Sequence, residues 1–331
     1  MSKALPSSSG YFRKKYADEF QLIETNIAKT SSVLFAIFLI SFPLYAPPFF
    51  IDLAAQVFLA SIGALALMLL TGIAGQISLG HAGLIAAGAF TAGILFKEYN
   101  LPFWVTIPAA AVMGALLGLI FGLPSLRLRG LYLAVSTLAL HFVVIYIGGE
   151  YETKRGFSTG ILVDPPKIFG WEVYATEAWY FVLLAAALVT LLICINLMRS
   201  RSGRAWRAIH SNETVAEALG VNIALYKLLV FVVSSSITAV AGALFAYYRG
   251  FVSIEAFSLY LTIQYVAMII IGGMGSLLGA LLGATFVILF PYMIEGILEM
   301  ITGDKDLVGS FFVKFNIIPA NIDVLKIDDP P

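Results

Sequence analysis

The chain has 331 residues, of which 60% are hydrophobic and 12% are charged, and its 20 basic residues balance its 20 acidic residues. Soluble domains carry roughly 25% charged residues, whereas the only Asp, Glu, Lys or Arg between positions 30 and 96 is Asp52. Such a stretch cannot form a water-exposed surface, which excludes an ordinary soluble enzyme and indicates a polytopic membrane protein. The zero net charge argues against a nucleic-acid partner. The one cysteine, Cys194, lies in an apolar run, so we expect neither an intrachain disulfide nor a cysteine-based metal site.

Apolar segments of about the length that crosses a membrane follow one another along the chain. They predict an all-α polytopic transmembrane bundle of about nine segments, some of them broken by glycines. The segments are 33–51, 54–71, 82–96, 103–123, 131–149, 178–198, 228–248, 260–275 and 277–298. Residues 1–32 are then an N-terminal tail, 33–300 the transmembrane domain and 301–331 an atypical C-terminal tail.

The distribution of basic residues predicts the orientation of the chain. With nine crossings, the tail 1–32, the link 125–130 and the loop 199–227 fall on one side and carry twelve of the 20 Lys and Arg residues. Connections rich in Lys and Arg stay in the cytoplasm. We therefore expect a cytoplasmic N-terminus, a cytoplasmic loop at 199–227 and an external loop at 150–177.

Glycines interrupt the apolar sequence twice, in TGIAGQISLGHAG (71–83) and in IGGMGSLLGALLG (271–283). Unwound backbone at membrane depth is tolerated where it is shielded from lipid, often around a transport path. The first interruption contains Gln76, Ser78 and His81, and polar groups at this depth face a cavity or the bundle interior. Two interpretations stay open, because these side chains either line a substrate path or cap two half-helices. Thr137, in the fifth segment, is a further candidate for the path, with hydrogen bonding inside the bundle as its alternative.

Glycines at four-residue spacing predict close contacts between helices. Gly114, Gly118 and Gly122 share one helix face, and Gly279 and Gly283 repeat the spacing. Small residues in this pattern let two helices approach closely, so we assign these glycines to packing.

The loop 199–227 is too polar to cross a membrane and contains a predicted short helix. Thr214 and Glu217 fit a capping box at its start, and Gly220 fits the position after its end. A small apolar face is formed by Val215, Ala216 and Leu219. The segment is either a capped surface helix or a helix that docks onto a cytoplasmic partner.

The residues AEALG (216–220), in a basic loop before a span, resemble the EAA-type coupling loop of ABC importer permeases. The surrounding segment 203–231 is similar to the branched-chain amino acid permeases, of the LivM type. Three further blocks resemble the same family in the same order, so the resemblance covers about 70–290. They are GQISLGHAGLIAAGAF (75–90), LRLRGLYLAVSTLA (126–139) and FVSIEAFSLYLTIQYVAMIIIGGMGSLLGALLGA (251–284).

The resemblance implies one transmembrane permease subunit of an ATP-driven importer in the inner (cytoplasmic) membrane, with branched-chain amino acids as substrates. It also implies a sister permease in a heterodimer, two cytoplasmic ABC ATPase subunits and a periplasmic or extracellular substrate-binding protein. Contact with the ATPase falls to Val215, Ala216, Glu217, Leu219 and Gly220. The chain contains no G-x-x-x-x-G-K-[ST] phosphate loop. We therefore expect a transport subunit without catalytic residues, metal or cofactor, with ATP bound by its partners.

Three alternatives remain beside this interpretation. A permease for urea or amides would share the motifs, and an ion-coupled secondary transporter would also suit the glycine interruptions. Such a transporter needs acidic residues within its spans, and only Asp52 and Glu295 come near, both close to predicted ends. The third alternative is a membrane-embedded enzyme. The sequence argues against it, because no predicted span contains paired carboxylates or a His/Asp cluster. The end of the chain, 304–331, departs from the family because it contains no apolar window long enough for a further span.

Overall fold

The computed structural model describes residues 26–128, 130–155, 160–168, 171–172 and 175–302. Within these ranges the α-helices are α1 (Asn26–Ser41), α2 (Pro48–Leu67), α3 (His81–Tyr99), α4 (Phe103–Ser125), α5 (Leu131–Arg155), α6 (Thr176–Arg199), α7 (Arg201–Ser211), α8 (Glu213–Ala218), α9 (Ile223–Arg249), α10 (Leu259–Gly272) and α11 (Leu277–Thr302). Four two-residue strands accompany them: β1 (Ile161–Leu162), β2 (Lys167–Ile168), β3 (Trp171–Glu172) and β4 (Phe251–Val252). They form two antiparallel pairs, β1 with β4 and β2 with β3.

Six helices in the described ranges are long and apolar enough to cross a membrane, and two shorter apolar helices accompany them. This confirms the all-α membrane bundle. The number of nine segments stays a prediction. The chain divides into two compact units, Met1–Ile51 and Asp52–Pro331.

The predicted first span, 33–51, is wrong as a single helix. Helix α1 ends at Ser41 and α2 begins only at Pro48. Pro43 and Pro47 lie between them, and proline lacks the N–H that a continuing helix needs and restricts the residue before it. Because the whole stretch is apolar, hydrophobicity alone could not show that it contains two helices.

Other predicted boundaries shift because helices continue past the apolar residues. Helix α1 begins at Asn26, within the predicted tail, and α5 runs to Arg155, well inside the predicted external loop. Polar residues at a helix end keep its hydrogen bonds even where they leave the apolar layer. The C-terminal segment 304–331, which departs from the family, lies outside the described residues.

Helix α9 forms the centre of the larger unit, with α3 and α4 packed along it. A Cβ added at Gly114 would overlap the carbonyl oxygen of Ser235, and one added at Gly118 would stand 2.8 Å from the Phe231 carbonyl oxygen. Gly283 meets the Met268 carbonyl oxygen of α10 in the same way. The predicted packing role of these glycines is confirmed, since backbone meets backbone where they lie.

The segments that follow α5 and α9 meet next to the ends of α3 and α5. The β1–β4 pair joins them, and the Glu152 carboxylate accepts a hydrogen bond from the Ile254 N–H at 3.1 Å. The Arg155 guanidinium lies 2.8 Å from the Glu98 carboxylate, which ties the end of α5 to that of α3. By the predicted orientation, this is the external end of the bundle.

Candidate functional site

The predicted interruption of the second span is confirmed and has a defined geometry. Helix α2 continues as a wider π-helical turn over Met68–Ile73, after which the backbone is non-helical until α3 begins at His81. The Gln76 N–H donates to the Leu70 carbonyl oxygen at 3.0 Å. Such turns widen the helix and leave carbonyl groups beyond them without helical partners. The segment 74–80 therefore depends on other elements for its hydrogen bonds.

Hydroxyl groups from two distant helices supply part of these bonds. The Leu79 N–H donates to Thr137 Oγ1 of α5 at 2.9 Å, and the Ala82 N–H donates to Thr262 Oγ1 of α10 at 3.0 Å. Ser78 Oγ accepts the Gly80 N–H at 3.4 Å. Ser78 and Thr137 thus bind freed backbone N–H groups, and their place on a substrate path stays a prediction. Sequence reasoning missed Thr262, whose only signal was that it is the one Ser or Thr within α10.

Gln76 and His81 are placed differently from the two hydroxyl residues. All four predicted path residues are buried, with Gln76 4% and His81 1% exposed. The His81 ring meets Tyr265 of α10 edge to face, with 4.7 Å between centroids. The Gln76 side-chain amide and His81 Nε2 have no hydrogen-bond partner among the described residues. Buried polar atoms left in this state cost about 1–3 kcal/mol each, which favours a polar ligand or water as their partner.

The two glycine interruptions lie against each other, although about 200 residues separate them in the sequence. The Gly275 N–H points at Met68 Sδ over 3.3 Å, and a Cβ added at Gly72 would stand 3.1 Å from the Gly275 nitrogen. A side chain at Gly72 would press on the Gly275 backbone, whereas at Gly275 the φ of +89° is what favours glycine. The contact joins the break before α3 to the turn between α10 and α11.

The loop 199–227 contains two helices, of which sequence reasoning found only the second. Helix α7 begins where Ser200 Oγ accepts the N–H groups of Ser202 and Gly203. Its Trp206 is fully buried, and Trp206 Nε1 donates to the Tyr226 carbonyl oxygen of α9 at 2.9 Å. The missed signals were the serine cap and the buried apolar residues Trp206 and Ile209, which follow helical spacing.

The predicted start of the short helix is wrong. Helix α8 begins at Glu213, and its N-cap is Asn212, whose Oδ1 accepts the Val215 N–H at 3.1 Å. Thr214 lies in the first turn and therefore cannot form a capping box with Glu217. Asparagine caps a helix at least as well as threonine, so the earlier polar residue takes the position.

The predicted end of the same helix is confirmed. Gly220 has a φ of +85°, in the left-handed region. The Gly220 N–H donates to the Glu217 carbonyl oxygen at 2.9 Å, and the Val221 N–H donates to the Ala216 carbonyl oxygen at 3.0 Å. This pair of bonds is the Schellman motif, which glycine accommodates without steric strain.

The predicted apolar face of α8 is divided in the structure. Val215 is 55% and Leu219 76% exposed, whereas Ala216 is buried and packs inward. The assignment of Ala216 to a common exposed face is therefore wrong. Beside α8 lies a groove of about 570 Å³ whose lining includes Glu213, Glu217, Gly220 and Lys227.

Comparison with known proteins identifies the family. The profile of the family described as "Branched-chain amino acid transport system / permease component" matches residues 49–309. The chain belongs to this family. The permease is 32% identical over 262 residues to the high-affinity branched-chain amino acid transport system permease protein LivM of Escherichia coli K12, which covers 72% of this chain and 62% of the relative. It is 28% identical over 202 residues to a probable branched-chain amino acid permease LivM of Methanocaldococcus jannaschii, covering 58% and 56%.

A relative that is named for a different substrate also matches the permease. The autoinducer 2 import system permease protein LsrC of Enterobacter sp. strain 638 is 30% identical over 239 residues, covering 69% of this chain and 65% of the relative. The permease thus spans less than two thirds of the length of these relatives. No solved structure matches the chain. The family match includes the interrupted segment and both helices of the loop 199–227.

Proposed function

We propose that this permease is one transmembrane subunit of an ATP-driven importer of branched-chain amino acids. Membership of the family and similarity to the LivM permeases support this function. The observation that carries the proposal is α8, a capped six-residue helix with two exposed apolar side chains, in a loop that the distribution of basic residues predicts to be cytoplasmic. ATP hydrolysis then belongs to separate subunits, because the chain has no phosphate-binding loop.

Helix α8 has the properties of a docking element. A free helix of six residues is marginal in water, and here the Asn212 cap and the Gly220 stop support both ends. Lys227 Nζ of α9 also lies 2.6 Å from the Glu213 carboxylate, with the lysine side chain almost fully buried. Leu219 and Val215 nevertheless remain exposed on this supported helix. An apolar recess on an ATPase subunit would cover them, with the groove beside α8 at its edge.

The partners and location follow from the same proposal. A sister permease would complete a heterodimer, two ATPase subunits would bind the cytoplasmic side, and a substrate-binding protein would deliver solute from outside the inner membrane. The N-terminus is then cytoplasmic. Asp52, one of the two candidates for ion coupling, accepts hydrogen bonds from Gln56 Nε2 at 2.8 Å and from the Tyr248 hydroxyl. These bonds give Asp52 a structural role and favour ATP over an ion gradient as the energy source.

Uptake by the assembled system tests the function. We expect vesicles containing this permease, its sister subunit and the ATPases to accumulate leucine with ATP and binding protein, and to do so when ionophores dissipate the ion gradients. The purified chain alone should bind no ATP. Gradient-driven leucine uptake without ATPase would contradict the proposal, and transport of autoinducer 2 or urea in place of leucine would contradict the substrate.

We further propose that Gln76 and His81 line the translocation path, because their unpartnered polar atoms suit a polar solute. In a Cys194→Ala background, Gln76→Cys and His81→Cys should react with a water-soluble thiol reagent in at least one nucleotide state of the assembled transporter. Ala86→Cys is the matched control, since Ala86 is fully buried on α3. The assignment fails if both variants react no faster than the Ala86→Cys control in every state.

A further inference from the structure

Helix α7 touches the interrupted segment through one side chain. His210 Nδ1, in the last turn of α7, lies 3.1 Å from the Ile73 carbonyl oxygen. Because a carbonyl oxygen can only accept, Nδ1 carries the proton and donates it. Gly75 follows at once with a φ of +71°, and a Cβ added there would stand 3.0 Å from the same nitrogen. The imidazole therefore rests directly on the backbone where α2 ends.

The Ile73 carbonyl lies at the point where the helix ends and the unwound segment begins. It belongs to the last residue of the π-helical turn, after which the chain is unwound as far as Gly80. Carbonyl groups at a helix end lack intrahelical donors, so a donor from another element fixes where the unwound backbone starts. His210 is such a donor, and it comes from the cytoplasmic loop.

The other end of this connection is fixed to α8. Asn212 is at once the C-cap of α7 and the N-cap of α8, so no linker separates the two helices. Trp206 lies one turn before His210 and holds α7 to the start of α9 through its bond to Tyr226. Residues four apart share a helix face. With Asn212 alone between the two helices, movement of α8 has a short covalent route to α7 and the imidazole.

We propose that His210 is a positioning residue that transmits movement of the α7–α8 unit to the interrupted segment 74–80. The proposal rests on the proposed function, in which an ATPase moves α8. The hydrogen bond to Ile73 then pulls or releases the backbone that carries Gln76 and leads into α3. Docking and transmission thus belong to different residues, since Leu219 faces outward and His210 faces the broken span.

His210→Ala tests the proposal in the assembled transporter. The variant should keep its ATPase on co-purification, because α8 is untouched. Uptake per ATP hydrolysed should fall roughly two- to tenfold, the range expected for the loss of one hydrogen bond. His210→Asn should restore most of the ratio, since the asparagine amide can place a donor near Nδ1. The matched control is the adjacent Ser211→Ala, which removes only the hydroxyl that donates to the Arg207 carbonyl oxygen within the same helix.

A second measurement separates transmission from a merely structural effect. Hydrogen–deuterium exchange of the amides at 74–80 should change with nucleotide in the wild type and in Ser211→Ala, and should lose that change in His210→Ala. An unchanged uptake ratio with preserved nucleotide-dependent exchange overturns the proposal. Loss of the ATPase from His210→Ala also overturns it, by assigning His210 to docking. A failure of the proposed function itself would give a different result. In that case the Leu219→Asp variant would keep the ATPase on co-purification and would transport normally.

Discussion

Replacing Leu219 by aspartate is expected to detach the ATPase from the permease and abolish uptake, while the protein reaches the membrane at normal levels. Leu219 is 76% exposed at the end of α8, so the charge does not disturb the core of the chain. In the complex it replaces a buried leucine, whose burial contributes about 1.5–3 kcal/mol, with a desolvated charge. We expect at least about a tenfold loss of ATPase on co-purification, together with loss of ATP-dependent uptake.

Matched variants separate docking from general damage to the loop. Leu219→Met conserves volume and apolarity and should behave as the wild type. Gly220→Val should reduce coupling through backbone strain alone, about 1–2 kcal/mol, since nothing lies within 4 Å of the added Cβ and φ is +85°. Gly220→Asn, which tolerates this φ, should retain most of the activity. Normal ATPase retention and uptake in both Leu219→Asp and Gly220→Val would remove the docking assignment.

A second large effect is expected from Gly242→Ala at the contact between α9 and α3. A Cβ at this position would overlap the Ile85 carbonyl oxygen, and Gly88 of α3 meets the Ala239 carbonyl oxygen in return. Neither backbone can move away without separating the helices, so we expect destabilisation at or above the upper end of about 1–3 kcal/mol. The measurement is the thermal unfolding midpoint of the detergent-solubilised protein, followed by size-exclusion chromatography.

Gly149→Ala is the control for this prediction. Gly149 lies within α5, and a Cβ added there meets nothing within 4 Å. Alanine favours a helix over glycine by about 1 kcal/mol, so this variant should be as stable as the wild type or more so. Equal midpoints for Gly242→Ala and the wild type would show that the α3–α9 contact is looser than the structure indicates.

Helix α8 shows how much of a short helix can be predicted from its neighbouring residues. Its end could be predicted because Gly220 needs only its own backbone conformation and the bonds of the preceding turn. Its start could not be assigned correctly, because Asn212, Thr214 and Glu217 are all competent capping residues and the choice depends on where α7 ends. The inward orientation of the Ala216 side chain likewise depends on the position of α7, which the sequence patterns did not predict.

The interrupted span shows the same limit at longer range. Glycines and polar residues predicted the break. The hydroxyls of Thr137 and Thr262 that accept its N–H groups lie 58 and 180 residues from the residues they bind. His210, which donates to the Ile73 carbonyl oxygen, lies 137 residues from it. No spacing rule connects such positions. The polar residues at the break therefore have two open interpretations from sequence, and the structure adds that Ser78 and Thr137 accept backbone N–H groups there.

By itself the sequence determined the membrane class, the helical content, both glycine interruptions and the stop of α8, because each depends on composition or on neighbours within one helical turn. Only the tertiary structure decided which backbones meet at Gly72 and Gly275, which hydroxyls bind the unwound segment and which side chain joins the loop 199–227 to it. These contacts depend on how distant helices pack, and packing is set by the shapes of all of them together. A hydrogen bond such as that from His210 to Ile73 exists only once that packing is complete.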